Sequence, residues 1–133
     1  MTCYSRTNEY RREVVYRSLR HYARDKFSKQ KSQSKKRGIE WTITFEDVWE
    51  LLKKQKGNCS VTGIKMTYHK VKDVKNKRMG TGVDTNISFD RIDARKGYTA
   101  DNVRLVCYAV NYMKSDMTDT KLKSWAKRLY ENL

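Results

Sequence analysis

The residues best suited to chemistry lie in one segment, NISFDRIDARKGYTADNVRLVCYAVNYMK, which runs from Asn86 to Lys114. Asp90 offers a carboxylate and Asn111 an amide oxygen, and Mg²⁺ accepts both ligand types alongside water and phosphate. Arg91 follows Asp90 directly, and a guanidinium can bind two oxygens of one phosphate in a fork. Without the surrounding pattern, the same residues are also typical of a salt bridge at Asp90 and a turn cap at Asn111.

The overall charge indicates the kind of partner that such a site would meet. Thirty Lys and Arg residues against fifteen Asp and Glu give a formal net charge of +15. A chain this basic is expected to bind a polyanion. Nucleic acid fits better than a membrane surface, because the most basic stretch lacks a clean apolar face. A surface that is basic only for solubility usually mixes both signs more evenly.

The cysteines and the hydropathy pattern indicate the compartment. Cys3, Cys59 and Cys107 form an odd and widely spaced set, which argues against a disulfide framework. The sequence has no signal-peptide pattern and no apolar run of about 18 residues. We therefore expect an intracellular, cytoplasmic protein that is not secreted and does not enter a membrane.

The first 38 residues are expected to form a basic unit of their own, a helix followed by an arm. Apolar residues near helical spacing predict the helix over 8–28, with its arginines mostly on the other sides. The stretch SKQKSQSKKRG at 28–38 contains no apolar side chain and predicts a flexible basic arm.

Residues 39–133 are expected to form the second unit. Thr44 as an N-cap, with Asp47 three residues later, predicts a helix that ends near Gly57. CSVTG at 59–63 predicts a tight turn, and the lysine-rich stretch at 65–82 predicts a solvent-facing loop or hairpin.

Two further segments complete this unit. Apolar spacing predicts an amphipathic helix over 119–131. The segment TADNVRLVCYAVNYMK fits either one helix capped by Thr99 or a strand at 102–106 that leads into a helix from Cys107.

Segment 87–114 resembles the HNH endonucleases, the ββα-metal or His-Me finger group. In that family a strand carries Asp-His, an Asn pins the following loop, a second strand ends in Cys, and a helix carries Asn or His. The matching residues here are Asp90, Asn102, Cys107 and Asn111, whereas Arg91 stands in the place of the histidine. The resemblance covers residues 44–116 and implies an α+β fold with a ββα-metal core flanked by helices.

The resemblance also implies a function and a site. The expected activity is divalent-metal-dependent hydrolysis of DNA phosphodiester bonds, by nicking or double-strand cleavage, with RNA as the alternative substrate. Asp90 and Asn111 would hold Mg²⁺ or Mn²⁺, Arg91 would clamp the scissile phosphate, and Asn102 would support the loop. The other reading is a catalytically weak or inactive nucleic-acid-binding protein on the same fold.

The group that activates water stays open at this point. Arg91 cannot accept a proton near neutral pH, because the pKa of arginine lies above about 12. A metal-linked or bulk water could supply hydroxide, or a nearby base such as His69, Tyr98 or another tyrosine could do so.

The expected phosphate contacts are the basic residues of the N-terminal unit, of the lysine-rich loop and of the end of the motif. They are Arg12, Arg17, Arg20, Arg24, Lys35, Lys36, Arg37, Lys70, Lys72, Lys75, Lys77, Arg78 and Lys114.

Some relatives in the HNH family carry a zinc knuckle built from two CxxC pairs, and CSVTG resembles half of one. Here Cys59 and Cys107 each lack the second cysteine, since Thr62 and Val110 occupy those positions. A structural zinc site needs four ligands. We therefore expect no structural zinc and two small buried thiols instead.

Overall fold

The computed structural model describes residues 4–69 and 82–133, and it describes side chains of the first helix from residue 18 onward. The architecture is mixed α+β, as the sequence predicts. Its elements are α1 (Tyr4–Lys36), α2 (Phe45–Lys54), β1 (Ile87–Arg91), β2 (Val103–Cys107), α3 (Tyr108–Lys114) and α4 (Asp119–Asn132). Among the described residues, no helix combines the length and the apolar character needed to cross a bilayer.

Strands β1 and β2 form an antiparallel hairpin, and α3 begins directly where β2 ends. The register sets Asp90 opposite Arg104 and Arg91 opposite Val103. Leu105 and Val106 are fully buried, so the middle of β2 belongs to the core. Of the two sequence interpretations of this segment, the strand followed by a helix is therefore the correct one.

Helix α2 begins at the capping box that the sequence predicts. The Thr44 hydroxyl accepts a hydrogen bond from the Asp47 backbone N–H at 3.2 Å, and the Asp47 carboxylate accepts one from the Thr44 N–H at 2.8 Å. The helix then buries Val48, Trp49 and Leu52 in the core. Capping of this kind typically stabilises a helix by about 1 kcal/mol.

Helix α1 corrects the prediction of a flexible arm, because it continues to Lys36. Its second half packs on the core: Ala23 is buried, and the Phe27 ring lies 5.3 Å from that of Trp41. Further along, Gln30 donates a hydrogen bond to the Tyr98 hydroxyl at 3.1 Å. The segment lacks apolar side chains, but partners distant in sequence hold it in the helix. Its C-terminal half therefore belongs to the same packed unit as the hairpin.

Helix α4 confirms the prediction for 119–131, although none of its residues is buried. Trp125 and Leu129 are about half exposed. Its N-cap, Thr118, accepts a hydrogen bond from the Lys121 N–H at 3.2 Å.

Gly97, in the loop after β1, allows two backbone segments to approach closely. Among the described glycines, φ is positive at Gly38, Gly57 and Gly63 only. At Gly97 the backbone of Glu40 lies so close that an added Cβ would stand 2.4 Å from the Glu40 carbonyl oxygen. This approach lets the Tyr98 N–H donate to the same carbonyl at 2.8 Å, which ties the loop after β1 to the segment after α1.

We predict that Gly97→Asn lowers the free energy of unfolding by about 3 kcal/mol, because the side chain overpacks against Glu40. Gly63→Asn is the matched control: its surroundings are open, and asparagine tolerates positive φ, so the loss should stay below about 1 kcal/mol. Urea unfolding of both variants measures the difference. Equal losses would show that the close approach of Glu40 does not constrain position 97.

Candidate active site

An open cleft of about 780 Å³ lies beside the end of β1. Asp90, Arg91 and Asn111, which the sequence analysis groups as one site, all line it. The cleft also has walls that the sequence analysis missed, from Gln30 and Gln33 of α1, from Arg37 just beyond that helix, and from residues of α3 and its C-terminal end. The missed α1 wall follows from the wrong prediction of an arm, since a flexible arm has no fixed position beside the hairpin.

The Asp90 carboxylate is almost fully buried, with 2% of the residue exposed. Lys114 Nζ lies 3.0 Å from Oδ1 and 3.1 Å from Oδ2, and Arg104 Nε donates to Oδ2 at 2.8 Å. The contact with Arg104 follows from the strand register, which pairs these two residues. The salt bridge at Asp90 that the sequence allowed is thus present, with two cations.

Lys114 is the second buried partner and is 0% exposed. Besides Asp90, its Nζ contacts the backbone carbonyl oxygens of Arg91 at 2.7 Å and Ile92 at 3.2 Å. An ammonium has three N–H donors, and protein oxygens occupy them here. The prediction that Lys114 contacts a phosphate is therefore wrong for this structure. Its burial could not be foreseen because its partner is 24 positions away in the sequence.

Arg104 extends the network to α4. Its Nη1 and Nη2 donate to the two carboxylate oxygens of Asp119 at 2.9 and 2.6 Å, which is the paired fork of an arginine–carboxylate contact. The hydrogen bond from Arg104 lowers the pKa of Asp119, and partial burial opposes that shift. Neither residue was singled out from the sequence. Two carboxylates and two cations thus form one network of zero formal charge.

The Asn111 side chain has a fixed orientation in the cleft that Asp90 also lines. Its Nδ2 donates to the Ser88 hydroxyl at 2.6 Å and to the Phe89 carbonyl oxygen at 3.0 Å. Because a carbonyl can only accept, the nitrogen must face Phe89 and the oxygen must face elsewhere. Both hydrogen bonds that the amide makes with described residues use Nδ2, so Oδ1 is left to accept.

The oxygens available at this site fit a hard divalent cation that takes few protein ligands. A carboxylate has about four lone-pair positions, and described residues donate to three of those on Asp90. One position on Asp90 and the Asn111 Oδ1 remain. Mg²⁺ is often held by one or two protein groups, with water and phosphate completing its shell. Within residues 4–69 and 82–133 no cluster of three or more His, Cys, Asp or Glu is placed to hold a metal ion.

Asn102 closes the loop between the strands, as the sequence predicts. Its Nδ2 donates to the carbonyl oxygens of Asp93 at 3.0 Å and Gly97 at 2.8 Å, while its Oδ1 accepts from the Asp93 N–H at 2.8 Å. The side chain is buried, so these bonds are protected from water. Asn102 thereby holds the loop that follows Arg91 in a single shape.

Arg91 lies at the end of β1, half-buried between the main cleft and a second opening of about 580 Å³. Its Nη1 donates to the Lys96 carbonyl oxygen at 3.1 Å, and its guanidinium lies 5.5 Å from the centre of the Tyr98 ring. A guanidinium has five N–H donors. The contacts with Lys96 and Tyr98 therefore leave donors that can bind an anion in the cleft.

The candidates for a general base occupy different positions. His69 is exposed and does not line the cleft. Tyr98 does line it, but burial raises the pKa of its hydroxyl, so even less of the phenolate that could accept a proton is present at neutral pH. Asp116, just beyond α3, adds an exposed carboxylate to the cleft wall that the sequence analysis missed. Its only sequence signal is its place two residues after the motif ends.

The predicted phosphate contacts also separate into groups. Arg37 lines the cleft, and Lys35 and Lys36 are exposed in the last turn of α1. Arg20 and Arg24 instead lie over the Phe45 ring, at 5.1 and 4.2 Å from its centre, and help to pack α1 on α2. The side chains of Arg12 and Arg17 and the whole of Lys70, Lys72, Lys75, Lys77 and Arg78 lie outside what the structure describes.

Cys59 and Cys107 lie together as two buried free thiols. The Cys107 N–H donates to the Cys59 sulfur at 3.3 Å. Burial raises the pKa of the Cys107 thiol to about 11. Val110, at one of the lost cysteine positions, is buried in the core.

Comparison with known proteins adds no relative: no family model matches the chain, and neither a curated protein nor a solved structure does. The resemblance to HNH endonucleases therefore rests on the residues of segment 87–114.

Replacing Lys114 should lower the free energy of unfolding, because it breaks the buried ion pair with Asp90. Lys114→Met leaves Asp90 buried with one cation fewer, and we expect a loss of about 3 kcal/mol in the free energy of unfolding. Lys127→Met on exposed α4 is the control and should change stability by less than about 0.5 kcal/mol. In the double variant Asp90→Asn/Lys114→Met, the loss should be smaller than the sum of the two single losses, because the residues are coupled. Additive losses in urea unfolding would contradict this coupling.

We also predict that the purified protein contains no stoichiometric zinc. Two thiols are too few for a structural zinc site, and Thr62 and Val110 cannot replace the missing thiolates. Elemental analysis after exhaustive dialysis provides the measurement. A ratio of one zinc per chain would contradict the prediction and would require two further ligands.

Proposed function

We propose that this protein is a divalent-metal-dependent endonuclease that hydrolyses phosphodiester bonds of nucleic acid, with an HNH-like strand–loop–strand–helix unit as its catalytic core. The observation that carries the proposal is the orientation of Asn111. Because Nδ2 donates to the Phe89 carbonyl oxygen, Oδ1 is left to accept, and Asn111 lines the same cleft as Asp90 and Arg91. The net charge of +15 supports a polyanionic substrate.

In this proposal each residue of the site has one task. Asp90 and Asn111 hold Mg²⁺ or Mn²⁺, and Arg91 binds the non-bridging phosphate oxygens. Lys114 keeps Asp90 in place, and Asn102 keeps the loop after Arg91 closed. When bound, the metal would stabilise the negative charge that develops on the phosphate and on the leaving oxygen.

The proposed enzyme is slow. No histidine follows Asp90, and loss of a general base typically costs about 10²–10⁴-fold in rate. Asp116 is the carboxylate of the described cleft that can take part of this role, because it is exposed and lines the same space as Arg91.

A second candidate function is nucleic-acid binding without catalysis. The observation in its favour is that Lys114 and Arg104 already compensate the charge of Asp90. Such compensation weakens the attraction between this carboxylate and a divalent cation. The same positively charged surface would still bind phosphates.

Cleavage of supercoiled plasmid with Mg²⁺, with Mn²⁺ and with EDTA separates the two functions. The nuclease proposal predicts cleavage that needs the metal and that falls in Asn111→Ala by at least the roughly 10–100-fold typical of damage to a metal site. Asn132→Ala, at an exposed amide of α4, is the matched control and should cleave normally. DNA binding in a gel-shift assay should be unchanged in both. Absence of metal-dependent cleavage by the unmodified protein would favour the binding function.

Asn111 is the better residue for this test than Asp90. Removing the Asp90 carboxylate leaves Lys114 buried without its counter-ion, so loss of activity would be confounded with loss of structure.

Substitutions of Arg91 test how the phosphate and the water are handled. Arg91→Lys should lose much of the cleavage rate because a point charge cannot reproduce the fork, and Arg91→Ala should lose nearly all. Arg91→His restores an imidazole that can accept a proton only when neutral. If water activation limits the rate, its activity should rise with pH around pH 6–7, near the ordinary pKa of histidine. Full activity in Arg91→Ala would remove Arg91 from the mechanism.

A further inference from the structure

Helix α3 presents two tyrosines on the wall of the cleft. Tyr108 and Tyr112 are one helical turn apart and therefore lie on the same face of the helix. Both line the cleft that also contains Asp90 and Arg91. Tyr112 is 57% exposed, so packing of the core does not account for it.

The first tyrosine is held firmly and supports the second. The Tyr108 ring lies flat against Gly82, where an added Cβ would stand 2.4 Å from a ring carbon. The Tyr108 backbone N–H is fixed by the Asn86 carbonyl oxygen at 2.8 Å. The Tyr112 ring follows at 6.0 Å between centroids, tilted by 36°. The Tyr108 ring thus supports the Tyr112 ring from one side, and the exposed part of Tyr112 faces the cleft.

An aromatic face in this position is suited to one kind of ligand. A tyrosine offers a flat π-surface, and nucleobases stack on such surfaces with little dependence on sequence. In a duplex the faces of the bases are covered by their neighbours, and only their edges can be reached. A base can therefore stack on Tyr112 only where it is unpaired. Gln33, which lines the same cleft, adds amide donors and acceptors for the edge of that base.

We propose that Tyr112, backed by Tyr108, is a stacking platform for an unpaired nucleobase, so that the protein prefers single-stranded or locally unpaired nucleic acid. The platform deepens the proposed function, because it names the substrate class of the same cleft. Binding of the base does not depend on the metal or on cleavage.

The test measures binding in EDTA, so that cleavage plays no part. Fluorescence anisotropy at fixed salt compares a short labelled single strand with the duplex of the same sequence, as DNA and as RNA. Tyr112→Ala should weaken single-strand binding by roughly 5- to 150-fold, which corresponds to about 1–3 kcal/mol per stacked base, and leave duplex binding within about 2-fold. Tyr112→Phe should retain the preference, since it keeps the ring. Tyr130→Ala, at a tyrosine of α4 that is 89% exposed and outside the cleft, is the matched control.

A fluorescent base analogue in the single strand gives a second measurement. Its emission should be quenched by the unmodified protein and by Tyr112→Phe, and much less by Tyr112→Ala. An equal loss of single-strand and duplex binding in Tyr112→Ala, or no loss in either, would overturn the platform. If the platform holds while the unmodified protein cleaves neither the plasmid nor a single strand in Mg²⁺ or Mn²⁺, the nuclease proposal alone is wrong. If cleavage succeeds and Tyr112→Ala binds single strands normally, the platform alone is wrong.

Discussion

The buried ion pair between Asp90 and Lys114 is the interaction on which the candidate site depends. It joins the last residues of β1 to the end of α3, and through the carbonyls of Arg91 and Ile92 it also holds the start of the loop. Removing such ions from water costs several kcal/mol each, which is offset only when geometry and hydrogen bonding are good. The pair therefore tolerates little displacement, and it fixes the point from which Arg91 and Asn111 face the cleft.

The strand register and the capping of α2 support this arrangement from both sides. A slip of one residue in the hairpin would exchange the faces of every side chain and separate Asp90 from Arg104. The capping box at Thr44 fixes the start of α2, whose buried residues pack beneath the sheet. Neither feature belongs to the cleft, yet each determines where its residues lie.

Local signals in the sequence predicted local structure well. The capping box at Thr44, the turn at 59–63, the helix over 119–131 and the loop-bridging role of Asn102 depend on residues within about ten positions of one another. The resemblance in segment 87–114 favoured a strand followed by a helix where periodicity left the choice open, and the structure has that arrangement. It also grouped Asp90, Arg91 and Asn111 in one candidate site, and all three line one cleft. Their roles in catalysis remain predictions.

The failures came from contacts between distant segments. Composition indicated a flexible arm at 28–38. In the structure, however, Gln30 donates a hydrogen bond to the hydroxyl of Tyr98, which lies 68 positions later. A lysine at the end of a short helix is ordinarily a surface residue, and only the fold brings Lys114 to Asp90. Gly97 is constrained by the backbone of Glu40, which lies far from it in the sequence. None of these contacts can be predicted from the spacing of residues in the sequence.

The link from Arg104 to Asp119 makes α4 an electrostatically tethered element. The helix buries none of its own residues, and Arg104 holds its first residue through two hydrogen bonds to the Asp119 carboxylate. Asp119 is about half exposed, whereas Asp90 and Lys114 are shielded from mobile ions. Rising ionic strength should therefore weaken the contact between Arg104 and Asp119 well before it disturbs the buried pair of Asp90 and Lys114. The attachment of α4 to the hairpin should accordingly depend on salt.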